Sequence, residues 1–86
     1  MEREELLKLI ETKEVIGVDL SGQRLEKIDF TGCRIERTSF KGCELVHCRF
    51  RNAKISWSDF RYAEIQHGTF EGAEIEFSDF YRAFID

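Results

Sequence analysis

The 86-residue chain has no proline, a single tryptophan, a single methionine and only three cysteines. Each scarcity excludes something. An odd, small number of cysteines cannot close into a disulfide framework, so the fold has to stand on packing alone and a reducing compartment is expected. No run of about 18 apolar residues is present, and no basic stretch leads into an apolar one at the N-terminus, so neither a membrane-spanning helix nor a signal peptide is read. The expectation is a soluble, cytoplasmic protein. The chain is also too short for a second core, since each further domain usually needs about 100 residues, and residues 1–86 are read as one domain. A net charge of −4 argues against direct nucleic-acid binding, which calls for a basic surface. The missing proline argues against a fold built from many different turns. What is abundant is phenylalanine, with 8 residues against 2 tyrosines and 1 tryptophan.

A five-residue repeat organises that abundance. Every fifth position from residue 20 to residue 85 is leucine, isoleucine or phenylalanine, beginning Leu20, Leu25, Phe30, Ile35, Phe40 and ending Ile75, Phe80, Ile85. Neither the 3.6-residue period of an α-helix nor the two-residue period of a strand puts all these positions on one side. A chain that turns a corner every five residues does. Two residues before each central position runs a second series that is small from residue 33 onward: Cys33, Thr38, Cys43, Cys48, Ala53, Ser58, Ala63, Gly68, Ala73, Ser78 and Ala83. One large and one small inward residue per side is what a narrow, densely packed interior accepts. The remaining positions are mostly polar and face water.

Segments such as Cys48-Arg49-Phe50, Ala53-Lys54-Ile55, Ser58-Asp59-Phe60, Ala63-Glu64-Ile65 and Ser78-Asp79-Phe80 resemble the A(D/N)LXX units of pentapeptide-repeat proteins. The resemblance covers residues 18–86. It implies an all-β fold, a right-handed quadrilateral parallel β-helix in which four pentads make a coil of twenty residues. The residues offer a check on that number. Phenylalanine and aliphatic centres alternate from residue 25 onward, and four sides turn this alternation into like-on-like ladders, whereas three sides would stack phenylalanine on isoleucine. Fourteen pentads make about 3.5 coils, a stack about 17 Å tall at a strand spacing of about 4.8 Å.

A stacked coil needs its ends covered. Residues 2–12 carry helix formers, acids in the first turn and an apolar stripe of Leu6, Leu9 and Ile10, and are read as a capping helix laid over the first coil. Val15 and Ile16 lead in and Gly17 marks a bend. At the other end the repeat rhythm runs on to Asp86, with Phe84 where a polar residue is usual. Two readings follow: a fragment of a longer array, or a last coil that pairs with a second copy, as the resemblance allows. Phe80, Phe84 and Ile85 are the self-association candidates.

Little catalytic chemistry is available. Asp19, Asp59 and Asp79 share a side, and paired carboxylates can act as acid and base, but they hold the position that the repeat itself fills with Asp or Asn. His47 and His67 stack twenty residues apart above Lys27, yet two imidazoles fall short of the three or four ligands of a useful metal site. Cys33, Cys43 and Cys48 occupy the small inward position on three different sides and are read as buried small hydrophobes. The chain is therefore expected to be no enzyme, and neither a metal nor a cofactor is expected. Arg37, Trp57 and Phe77 share an outward register, with Tyr62 at the equivalent place of a neighbouring side; exposed aromatics with an arginine are typical material of protein-contact sites.

Charge divides along the axis. Residues 20–58 hold eight basic and four acidic residues, while residues 59–86 hold two basic and seven acidic. The resemblance brings in quinolone-resistance proteins, DNA mimics that bind gyrase, but a DNA mimic needs a long acidic rod, and about 17 Å matches roughly five base pairs. Glu5-Leu6-Leu7, Glu14 and Gly17 to Gly22 also resemble the entry of pentapeptide domains encoded beside bacterial secretion systems, which suggests a module of a larger bacterial protein. The reading is a non-catalytic scaffold or protein-interaction module with an unidentified protein partner, and a gyrase-binding DNA mimic as the alternative.

Overall fold

In the computed structural model, which describes residues 1–86, the chain winds into a parallel β-solenoid behind one short N-terminal helix. Helix α1, Arg3–Glu11, is one residue shorter at each end than the sequence suggests. Its Leu6 is buried while Leu9 and Ile10 pack against the core, and Arg3 donates from Nη1 to the Glu26 carbonyl at 2.9 Å on the first coil.

Eight short strands follow. Strands β1 (Glu14–Ile16), β3 (Arg34–Glu36), β5 (Lys54–Ser56) and β7 (Glu74–Glu76) form one parallel sheet; β2 (Arg24–Glu26), β4 (Glu44–Val46), β6 (Glu64–Gln66) and β8 (Phe84–Ile85) form another. Partners lie twenty residues apart throughout, as in Val15 with Ile35 and Leu45 with Ile65. The solenoid thus starts one pentad earlier than residue 18. Val15 is fully buried at the head of the Ile35, Ile55, Ile75 ladder rather than in a lead-in segment, and the coils number nearly four. The two remaining sides are held by single bridges, Asp19 to Ser39 to Asp59 to Asp79 on one and Asp29 to Arg49 to Thr69 on the other.

Strand sides carry only aliphatic centres, and bridge sides carry the phenylalanines, with Leu20 at the head of one of them. Within each phenylalanine ladder the rings stack at 4.5 to 4.9 Å, Phe40 on Phe60 and Phe30 on Phe50 among them. Across the interior the two ladders meet edge to face, Phe40 lying 5.7 Å from Phe30 and 5.9 Å from Phe50. Such pairs add roughly 0.5–1.5 kcal/mol each beyond the area they bury.

The ten-residue alternation extends to the corners. After each bridge-side centre the chain closes a β-turn with an i to i+3 bond, as in Gln23 N–H to the Leu20 carbonyl at 3.2 Å and Ala63 N–H to Phe60 at 3.1 Å. The third turn residue has positive φ and the second does not, which is the type II pattern. After each strand-side centre the corner is open, and on one edge the amide of the inward residue bonds a hydroxyl one coil onward. Thr38 N–H donates to Ser58 Oγ at 3.3 Å, and Ser58 N–H to Ser78 Oγ at 3.1 Å. On this edge hydroxyls stand at Thr38, Ser58 and Ser78, where the open corner leaves the amide to be satisfied by a side chain, whereas Ile28, Cys48 and Gly68 on the opposite edge make no such bond. No buried side-chain polar atom lacks a partner.

The bridge-side turns are tied by a further contact. The side chain before each centre accepts from the amide two residues on: Asp19 from Ser21, Asp29 from Thr31, Ser39 from Lys41, Asp59 from Arg61, Thr69 from Glu71 and Asp79 from Tyr81. Asp19, Asp59 and Asp79 are the residues that a paired-carboxylate reading singles out, and each has an oxygen engaged in holding a turn.

Phe50 is sandwiched between Phe30 and Phe70 and fully buried. Phe50→Ala is expected to lower stability by about 3–5 kcal/mol in urea denaturation. Phe80→Ala, at a half-buried position, is expected to cost less than half as much.

Candidate functional site

Every fifth residue from 17 to 82 has a left-handed φ of about 47 to 73°. A side chain on such a corner points away from the coil. Type II corners are glycine at residues 22, 32, 42 and 72, whereas among the open corners only Gly17 is. The open corners form two columns, Gly17, Arg37, Trp57, Phe77 and, on the opposite edge, Lys27, His47, His67. The candidate contact residues are therefore corner residues.

In the first column the Trp57 and Phe77 rings stack at 4.7 Å, 10° from parallel, and remain 63% and 68% exposed. Arg37 is exposed one coil earlier, and its amide bonds the Ser56 carbonyl at 3.1 Å. Its guanidinium does not cover the Trp57 ring; the cation–π contact belongs to Arg82, whose guanidinium carbon is 5.4 Å from the Tyr81 ring centre. Tyr62 stands on the next corner and meets Tyr81 edge to face at 6.0 Å. Tyr81 and Arg82 thus join a contact surface from which the sequence reading omitted them. The signal was available, because a twenty-residue step from Tyr62 lands on Arg82, beside Tyr81. Of the self-association candidates, Phe84 and Ile85 are exposed on strand β8, while Phe80 is half-buried against Phe60 at 4.6 Å.

The exposed aromatics Tyr62, Phe77, Tyr81 and Phe84 lie in the acidic part of the chain, and Trp57 lies two residues before it. Elsewhere opposite charges pair along columns: Arg24 with Glu26 at 2.7 Å and Glu44 at 3.5 Å, Arg34 with Glu36 at 2.9 Å and Glu14 at 3.5 Å. Asp59 takes both arms of Arg61, which also lies 3.9 Å from Asp79.

The acids are tuned for turns. The Ser21 hydroxyl and amide hold the Asp19 carboxyl below the usual range, those of Thr31 do so for Asp29, and the Arg61 guanidinium does so for Asp59. The thiols are insulated instead. Burial pushes Cys43 up to about 11 and raises Cys33 and Cys48, the reverse of what a nucleophile needs. His47 and His67 stack at 4.9 Å, as the register implies, and no group of three potential metal ligands surrounds them.

A fold of twenty-residue coils built on pentads, with left-handed corners and a small inward column, defines a pentapeptide-repeat solenoid. The family model described as "Pentapeptide repeat region" matches residues 14–80, most of the chain, and the protein belongs to that family. None of the curated proteins matches it. Among solved structures it is similar to a pentapeptide repeat protein of the Arabidopsis thaliana thylakoid lumen, with 20% identity, a TM-score of 0.46, and coverage of 83% of this chain and 61% of that one. It is similar also to a pentapeptide repeat protein of the cyanobacterium Cyanothece 51142, with 12% identity, a TM-score of 0.42, and coverage of 96% and 98%. No helix is long and apolar enough to cross a membrane.

The carboxyls of Asp19, Asp29 and Asp59 have folded pKa values below the unfolded value of about 4, so the stability they contribute is complete above that value and is lost as pH falls through the lower folded ones. The urea midpoint is expected to be flat from pH 7 to 5 and to drop below about pH 4. Asp59→Asn is expected to shrink that drop.

Proposed function

We propose that the protein is a non-catalytic interaction module, and that its contact surface is the exposed aromatic group on the acidic half of the solenoid. The observation that carries this reading is the Trp57–Phe77 stack, two large rings more than 60% exposed on left-handed corners where glycine would relieve strain. Tyr62, Tyr81 and Arg82 form the adjoining part and Arg37 lies at its edge. Tyrosine and tryptophan side chains give up little entropy on contact, and with arginine they are the usual energetic centre of a protein interface. Seven acids in residues 59–86 favour a partner with basic residues around an apolar patch.

The interaction reading is preferred to the gyrase-binding DNA mimic because Glu44, Glu14, Glu71 and Asp59 are paired by Arg24, Arg34, Arg51 and Arg61, which leaves the strand acids without an ion pair, Glu64, Glu74 and Glu76, confined to the last coils. A DNA mimic depends on unpaired acids along its length. It is preferred to an enzyme because the aspartates that share a side hold turns and the thiols are buried. Free thiols suit a reducing compartment such as the cytoplasm. Strand β8 and the exposed Phe84, Ile85 and Ile75 supply an edge and an apolar rim on which a second copy can continue the coil.

Two experiments follow. The double variant Trp57→Ser, Phe77→Ser is expected to keep the wild-type melting temperature while losing the protein partner that wild type captures from extract of its own source; equal capture of that partner by both would overturn the assigned surface. In size-exclusion chromatography with light scattering, wild type is expected to pass from monomer to dimer as concentration rises, and Ile85→Asp to stay monomeric. A wild-type monomer at every concentration would remove the self-association surface alone.

A further inference from the structure

The second open-corner column borders a cleft of about 440 Å³. One wall is Lys27, His47 and His67, stacked one coil apart; the other is Asp29, Arg49 and Thr69, bridged in register. Only Ile28 among the lining residues is apolar. A cleft of this composition does not suit an apolar ligand, which would gain little area burial there.

Its cations make no direct ion pair, with Asp29 within electrostatic reach of Arg49 and Glu26 within that of Lys27 and His47. Arg24, Arg34, Arg51 and Arg61 all pair with acids, but Lys27 and Arg49 make no ion pair, and neither imidazole makes a hydrogen bond. The nearby acid Glu26 is bound to Arg24 at 2.7 Å. The one carboxylate of the cleft, Asp29, has its Oδ1 occupied by the Thr31 amide and hydroxyl. With neutral imidazoles the cleft carries a formal charge of +1 in a protein of net charge −4.

Two departures from the repeat fall at this place. The position before each bridge-side centre otherwise holds Asp, Ser or Thr and ties its turn; at residue 49 it holds arginine, which has no acceptor, so the Arg51 amide loses its side-chain partner. The small column is reduced to glycine at residue 68, between His67 and Thr69, where a Cβ would sit 2.9 Å from the Cys48 carbonyl oxygen. Close packing on the Cys48 carbonyl accounts for Gly68, whereas Arg49 breaks the local rule with no local gain, as functional positions do.

We infer that this cleft is an oxyanion site that takes a phosphate monoester or inorganic phosphate between the Lys27, His47, His67 column and Arg49. The Arg49 guanidinium and the Lys27 ammonium neutralise the anion, the former offering a planar fork to two of its oxygens. The imidazole N–H groups and the Thr69 hydroxyl supply further donors. A metal is disfavoured: the two rings stack face to face, 17° from parallel, which sets their nitrogens side by side rather than converging, and no third ligand joins them.

Inorganic phosphate and a phosphoserine peptide are titrated separately into the protein at constant ionic strength, with the histidine ring protons followed by NMR. Both His47 and His67 are expected to shift saturably, and Lys27→Gln, Arg49→Gln to weaken binding about tenfold or more at an unchanged melting temperature. Lys41→Gln, Lys54→Gln removes the same charge outside the cleft and is expected to change affinity less than about twofold. Tighter binding of the peptide assigns the site to phosphorylated side chains, and equal binding assigns it to free phosphate; either supports the site. Equal weakening by the two double variants, or ring shifts that sodium chloride reproduces, would overturn it.

Discussion

Each coil hangs from the next by backbone hydrogen bonds whose geometry permits one length only. Leu20 N–H reaches the Ser39 carbonyl at 2.8 Å, Phe40 that of Asp59 at 2.7 Å and Phe60 that of Asp79 at 2.7 Å, and return bonds such as Ser39 to Val18 at 2.9 Å complete the ladder. A coil of nineteen or twenty-one residues would pair a centre with a flank and turn an inward side chain outward. The like-on-like ladders, the aligned corners and both surface columns follow from that constraint. So does the absence of proline, which would remove a donor from almost any coil.

The same ladder explains how the molecule tolerates its corners. Nine of the repeated left-handed positions hold a residue other than glycine, each at a cost of about 1 kcal/mol or more. Hydrogen bonds on both flanks of every corner hold them in place, because no other φ lets the chain rejoin the ladder. Side chains there are held clear of the core, so they vary with little consequence for packing. Both surface features of interest, the aromatic column and the basic column, occupy this position, and the open corners carry them because the type II corners are more often glycine.

Division of labour within the ten-residue unit is the second organising fact. Aliphatic centres sit on strand sides and phenylalanines on bridge sides. The wide rings meet edge to face across the interior, while the strand sides are held by continuous sheets. Along the axis the charge changes sign, so exposed aromatics and excess acids share one half while the unpaired lysine and arginine of the cleft lie in the other. A single short solenoid thereby presents two chemically different faces.

Much of this was open to reading from the residues. The five-residue period required only hydrophobic spacing, and the four sides implied by the family resemblance turned the alternation of phenylalanine with aliphatics into the ladders from Leu20 to Ile85, since side-chain volume limits what a narrow interior holds. The stacking of His47 on His67 and of Trp57 on Phe77 followed from register alone. The role of Val15 did not, because one valine before Gly17 looks like a lead-in until its pairing with Ile35 is seen. Nor did the reason for hydroxyls at Thr38, Ser58 and Ser78, which depends on amides left open by one corner type. The cleft that Arg49 shares with the two histidines was beyond it as well. The sequence by itself determined which residues share a side, because that is a matter of counting. Which neighbouring corners and sides enclose a cleft or merge into one surface was decided only by the tertiary structure, because those contacts depend on the paths of side chains through space.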